Sequence, residues 1–258
     1  MDNNDYFNKI FQKIFNVQSV LKNIVRDWSD AGAVEREQCY KPILDELDVL
    51  YPLDKYSDRS HIKVLVPGAG LGRLAWEIAA RGYSCQGNEF SLFMLFASNF
   101  ILNKCPQANQ HTVYPWVHQY VNNLSSEHQI QAASFPDVPP STRHSHFSIA
   151  AGDFLKVYTE YDEWHSIATC FFIDCAPNVI EFVERIYEKI GVKTKYAQNP
   201  NSMMQHEYKS VFFVCRKPFT NCAGDIIVHK CTRRHKCTLY SCHSHTPVGR
   251  LFDTAGES

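Results

Sequence analysis

Apolar side chains recur at Phe7, Ile10, Phe11, Ile14, Val17, Leu21, Ile24, Val25 and Trp28. Steps of three and four residues predict one amphipathic helix over 5–28, with a stripe wide enough to bury a face. A second stripe, Tyr40, Ile43, Leu44 and Leu47, predicts a helix over 34–50. From residue 61 the pattern changes to short apolar runs alternating with helical stripes. Strands are predicted at 61–66, 83–88, 147–150, 167–173 and 208–216, and helices at 71–81, 90–103 and 178–190. That alternation predicts an α/β, Rossmann-like fold with a mostly parallel sheet, whose ligands sit beyond the carboxyl ends of the strands. The polar connection between Lys104 and His146 is long enough to be functional or flexible.

The sharpest signal is HIKVLVPGAGLGRLAWEIAARGYSCQGNE, residues 61–89. A β-branched run ends at Pro67, Gly68, Gly70 and Gly72 make the turn, and a helical stripe resumes at Leu71. Glycine suits a backbone that turns sharply and passes close to a ligand. Glu89 closes the second strand, where a carboxylate can accept from both hydroxyls of a ribose. In G-A-G-L-G the third glycine comes one residue earlier than the dinucleotide fingerprint requires, and the segment carries no Walker lysine. S-adenosylmethionine, which has no pyrophosphate to cradle, fits this turn better than NAD. Asp153 and Asp174 fall at strand ends on the same rim as Gly68–Gly72 and Glu89.

Composition narrows the class. A net charge of −1 gives no electrostatic footprint for nucleic acid or an anionic membrane. The opening MDNNDYFNK lacks the apolar core of a secretory signal. The most apolar run, 90–102, is too short to span a bilayer and reads as a buried helix. Ten cysteines without a C-x-x-C pair are expected as reduced thiols. A soluble intracellular α/β protein is the expectation.

The segments LVPGAGLGRLAWEIAARGYSCQGNEFSLFML, YPWVHQ, FPDV, AGDF and ATCFFIDCAPNVI closely resemble the carnosine N-methyltransferase family. Its members transfer a methyl from S-adenosylmethionine to the histidine imidazole of carnosine, giving anserine. The resemblance implies a class I methyltransferase fold, S-adenosylmethionine as cofactor, a small dipeptide substrate and a cytoplasmic or nuclear enzyme; a homodimer is an assembly it allows. It implies cofactor contacts from Asn23 and Arg26 on the N-terminal helix, from Gly68 and Gly70, and from Glu89 to the ribose. Asp153 would accept from the adenine amine, and Phe154 would pack on its ring. Cys170 either lines the site or is a small buried thiol of a core strand. Asp174 would face the substrate imidazole as the catalytic group, and Tyr208 would help bind substrate.

The chain departs from the family at several positions. Asn23 stands where Gln is usual, Cys175 and Pro177 interrupt the commoner D-T-A-H-N, and His206 and Glu207 replace aromatics before Tyr208. A block that carries a core strand and a substrate-holding histidine is missing between Ile190 and Ser202. Its loss would leave backbone groups of the neighbouring strands unpaired. The expected organisation is a helical extension over 1–52, a methyltransferase domain over 53–218 incomplete after 190, and a divergent, disordered tail over 219–258. The tail's H-x-C-x3-H-x-C-x4-C-H-x-H matches no standard zinc finger, so no metal is assigned. The alternative to an active enzyme is a catalytically impaired relative that keeps part of the cofactor site.

Overall fold

The computed structural model describes residues 3–119, 121, 125–140, 146–161, 163–189, 195–198, 208–216 and 225–233, with everything after Ile186 given as backbone. Helix α1 (Asn3–Trp28) is followed by a 3-10 turn and by α2 (Ala33–Cys39) and α3 (Lys41–Leu50). The single helix predicted over 34–50 is thus divided at Tyr40. Pro42 sits in the first turn of α3, where its missing N–H costs nothing, but it cannot continue a helix arriving from α2.

Next come β1 (Lys63–Pro67), α4 (Arg73–Ala80), β2 (Ser84–Glu89) and α5 (Leu92–Lys104). In the long polar connection, β3 (His111–Val113) and β4 (Ala133–Phe135) form a small antiparallel pair, with α6 (Ser126–Gln129) between them. The chain returns through β5 (Phe147–Ala151), α7 (Phe154–Val157), β6 (Ser166–Cys170) and α8 (Val179–Lys189), then β7 (Lys195–Gln198), β8 (Tyr208–Arg216) and β9 (Asp225–Arg233).

The main sheet has the order β5-β2-β1-β6-β9-β8-β7. The β5–β2, β2–β1, β1–β6 and β6–β9 pairs are parallel, and β8 runs antiparallel to both its neighbours. Alternate residues of the central strands feed two cores. Val64, Val66, Ala168 and Cys170 face α3 and α4 through Ile43, Leu44, Leu47, Leu74 and Ile78. Leu65 and Ile167 face a cluster of Phe154, Tyr158, Trp164, Phe172, Phe182 and Ile186. Burial on both faces explains why β1 reads as continuously apolar rather than alternating. Each fully buried aliphatic side chain here contributes roughly 1.5–3 kcal/mol.

One expectation needs correction. The sequence pattern predicts no strand between β6 and β8 and a divergent, disordered tail over 219–258. The structure lays 225–233 in that gap, Ser166 opposite Asp225 and Cys170 opposite His229, with Arg216 opposite Asp225 on the other side. Both edges that the missing block would have exposed are therefore hydrogen-bonded. The β-branched run Ile226-Ile227-Val228 is the local signal for this strand. Residues 219–224 and 234–258, with most of the Cys/His cluster, lie outside the described residues. Among those described, no three His, Cys, Asp or Glu side chains gather as a metal site, and no helix is long and apolar enough to cross a membrane.

Candidate active site

The chain runs outward from β1 through β2 to β5, then crosses to β6 on the other side of β1. That reversal opens a crevice at the carboxyl ends of β1 and β6, the place where open α/β sheets bind ligands. The turn after β1 fills one side of it. Gly68 has φ +67, and a Cβ there would lie 2.4 Å from Phe172 Cδ2, so only glycine lets this turn sit against the end of β6. Gly70, at φ +55, is different: a Cβ would meet nothing within 4 Å. Its backbone stands beside open space, as a ligand cradle requires.

Glu89 closes the turn from below. Its Oε2 accepts from the Gly70 N–H at 2.8 Å, and its Oε1 accepts from the N–H groups of Phe90 at 2.9 Å and Ser91 at 2.7 Å. A carboxylate offers about four acceptor positions, so at least one remains for a ribose hydroxyl. Asn88, buried beside it, donates to the carbonyls of Ala150 and Gly152, while Gly152 N–H donates to the Glu89 carbonyl. These bonds hold Asp153 next to Glu89. Asp153 Oδ1 accepts from Leu155 N–H as the N-cap of α7, and its other oxygen lies 3.4 Å from Lys156 Nζ.

The ring of Phe154 differs from the expectation that it packs on adenine. It is 3% exposed and lies 5.5 Å from Phe172 and 5.7 Å from Phe182, inside the core. The α7 pattern could not separate a core-facing from a site-facing aromatic. An exposed aromatic on this rim is Phe90, 75% exposed and adjacent to Glu89.

The end of α1 forms a second wall. Trp28 Nε1 donates to the Leu71 carbonyl at 3.1 Å, pinning the helix to the glycine turn. Two residues back, the Arg26 guanidinium lies 4.8 Å above the Phe171 ring and holds Asp27 through two hydrogen bonds. Burial works against its charge, but its neighbours, Asp27 foremost, together outweigh burial and keep it firmly protonated. Asn23 donates to Met94 Sδ at 3.7 Å, which turns its amide toward α5.

Phe171 has φ +54, an unusual backbone state for a bulky residue, and it bends the chain from β6 into a 3-10 turn carrying Asp174. Asp174 is exposed on the rim. Burial pushes the neighbouring Cys175 thiol up to about 11, with Asp174 and then Glu89 adding to the rise. Both carboxylates therefore lie within electrostatic range of that thiol. Cys170 is buried at the end of β6; burial, then its hydrogen bond with the Cys39 thiol, raises it well above an ordinary thiol. It offers packing rather than a thiolate. Tyr208 starts β8 opposite Arg233 of β9; its side chain lies outside what is described. Sequence reading passed over Asp27, Asn88, Phe90 and Phe171; the string GNEF and the pair Arg26-Asp27 were the available hints.

The sequence profile of the carnosine N-methyltransferase family matches residues 3–191. The carnosine N-methyltransferase unmet of Drosophila melanogaster is 48% identical over 80% of this chain and 56% of its own. The Mus musculus carnosine N-methyltransferase is 42% identical over 78% of this chain and 63% of its own. The chain thus spans little more than half the length of these curated relatives. A Haemonchus contortus phosphoethanolamine N-methyltransferase 2, solved with S-adenosyl-L-methionine, is 15% identical over 69% of this chain and 36% of its own, with a TM-score of 0.36. That last likeness carries no weight beside the strand order and the profile. On the profile match and the identity to these relatives, the chain belongs to the carnosine N-methyltransferase family.

Proposed function

We propose that the chain is an S-adenosylmethionine-dependent N-methyltransferase acting on the histidine imidazole of carnosine and related small peptides, with anserine as product. Family membership supports the reaction class. The observation that carries the reading is the turn after β1, where the Glu89 carboxylate accepts from the Gly70 N–H beside open space at the switch between β1 and β6; Arg26 stacks on Phe171 just past the end of β6, and Asp174 lies on the 3-10 turn that follows. These residues fit the cofactor. Glu89 would take the ribose, Asp153 the adenine amine, the exposed Phe90 ring an adenine face, and Arg26 the methionine carboxylate. When bound, the cofactor supplies an electrophilic methyl on a sulfonium.

The residues have modest chemistry to perform. A histidine imidazole with a pKa near 6.5 is largely neutral at pH 7, and its unprotonated nitrogen is already a nucleophile. Asp174 accepts a hydrogen bond from the other ring N–H, which fixes the tautomer and turns the lone pair toward the crevice. The same carboxylate stabilises the positive charge that builds on the ring, then takes the N–H proton. Cys175, held neutral at pH 7, does not compete as a nucleophile.

Calorimetry with S-adenosylmethionine, followed by mass-spectrometric detection of anserine from carnosine, tests the reading. Glu89→Ala should weaken cofactor binding by about 10–100-fold, the worth of lost charge-assisted hydrogen bonds. Unchanged affinity would remove the cofactor site from this crevice. Tight binding by the wild type without product would select an impaired relative, a reading favoured by the missing family block. Phe90→Ala should weaken binding about tenfold if its ring covers the adenine. A Kd within twofold of wild type would leave Phe90 as a surface residue.

A further inference from the structure

We propose that Asp27 is a positioning residue. Its buried carboxylate fixes one edge of the Arg26 guanidinium so that the opposite edge is set to receive the carboxylate of the S-adenosylmethionine methionine moiety. This rests on the assignment of Arg26 to the cofactor given above. The geometry is side-on: Arg26 Nε donates to Asp27 Oδ1 at 2.7 Å and Nη2 to Oδ2 at 3.1 Å. A guanidinium carries five N–H donors in one plane. Asp27 takes two, which leaves one N–H of Nη1 and one of Nη2 along the end edge, the fork that pairs with a carboxylate, and a second Nη1 proton beside Cδ. Nη1 has no hydrogen-bond partner among the described residues. The Arg26 side chain keeps 22% of its surface exposed, whereas that of Asp27 keeps 1%.

Four further contacts stop the pair from rotating. Tyr40 Oη donates to Asp27 Oδ1 at 2.7 Å, so the carboxylate cannot follow the guanidinium if it swings. The Phe171 ring lies against the guanidinium face at 4.8 Å, held there by its own left-handed backbone. The peptides are pinned as well: Arg36 Nη1 donates to the Arg26 carbonyl and Arg73 Nη1 to the Asp27 carbonyl. A long side chain that would otherwise lose much freedom on binding is thereby ordered beforehand.

A rival account makes the opposite forecast. If Asp27 only neutralises Arg26, removing its charge should strengthen attraction for a ligand carboxylate. The experiment is calorimetry of the full chain with S-adenosylmethionine and with decarboxylated S-adenosylmethionine, which keeps the adenosine, sulfonium and amine but lacks the carboxylate. Asp27→Asn should bind the first about tenfold more weakly and the second within about twofold of wild type. Equal or tighter binding of S-adenosylmethionine, or equal loss for both ligands, overturns the proposal. Should Asp27→Asn fail to fold, Tyr40→Phe carries the test, with a loss of about three- to fivefold confined to the carboxylate ligand; loss shared by both ligands overturns it. Discrimination that survives Arg26→Ala overturns the assignment of Arg26, and the proposal with it. Failure of the wild type to bind either ligand overturns the cofactor reading itself.

Discussion

Asp174→Asn should lower kcat for carnosine methylation by about a thousandfold while leaving the S-adenosylmethionine Kd within about twofold. Asparagine keeps the shape and one acceptor oxygen, so the imidazole can still be received. It brings no charge, and a cation develops on the ring as its nitrogen is alkylated. An interaction realised mainly in the transition state appears in kcat rather than in binding. Asp174 is well placed for this work, on an exposed turn at the end of β6, with its oxygen 3.9 Å from Cys175 Sγ and its backbone set by the Phe171 bend. Steady-state kinetics paired with calorimetry checks it. An equal loss in both would mean that Asp174 shapes the pocket rather than serving the reaction. The wild-type rate should also fall as pH drops below about 6.5, because protonating the substrate imidazole removes its nucleophilic lone pair. A flat profile between pH 5.5 and 7.5 would point to a different acceptor atom.

What could be read from the chain beforehand divides by distance. The turn after β1 was legible because its signals are local: three glycines, a β-branched run before them and Glu89 nineteen residues after Gly70, a span the structure closes with one hydrogen bond. The parallel sheet followed from element alternation alone. The core-facing ring of Phe154 was not legible, since its partners Phe172 and Phe182 come from later elements. Strand β9 was hidden for a related reason. Its apolar run is ordinary, and its central place depends on pairing with β6 and β8 across long loops. The hold on Arg26 illustrates both cases. Asp27 is its sequence neighbour, yet the aromatic beneath it lies at Phe171, and no local pattern joins the two.

The same logic singles out Asp137 of the FPDV segment as the residue whose loss should destabilise the molecule most. It sits just after β4 in the polar connection. Its Oδ2 takes Arg36 Nη2 at 2.6 Å, its Oδ1 takes Arg73 Nη1 at 2.5 Å, and its N–H donates to the Trp28 carbonyl. Both arginines are buried, and Arg73 is further enclosed between Trp28 at 4.9 Å and Trp76 at 5.5 Å. Burial lowers the readiness of Arg36 to hold its proton, with Asp137 as the chief opposing charge; at Arg73 Asp137, with Glu77 adding, outweighs burial. Asp137→Ala would leave two guanidinium groups in the interior facing Glu77, which already bonds Arg73 Nε. Breaking a buried pair from one side costs about 3–5 kcal/mol, because the orphaned charge stays buried. For a chain of this size that is a fall of about 10 °C in Tm. Since Arg36 and Arg73 also hold the peptide carbonyls of Arg26 and Asp27, cofactor affinity should fall with stability. Thermal unfolding with and without S-adenosylmethionine checks both parts. A Tm within 3 °C of wild type would show that water reaches the arginines and that α1, the glycine turn and the β3–β4 arm are held together chiefly by apolar contact.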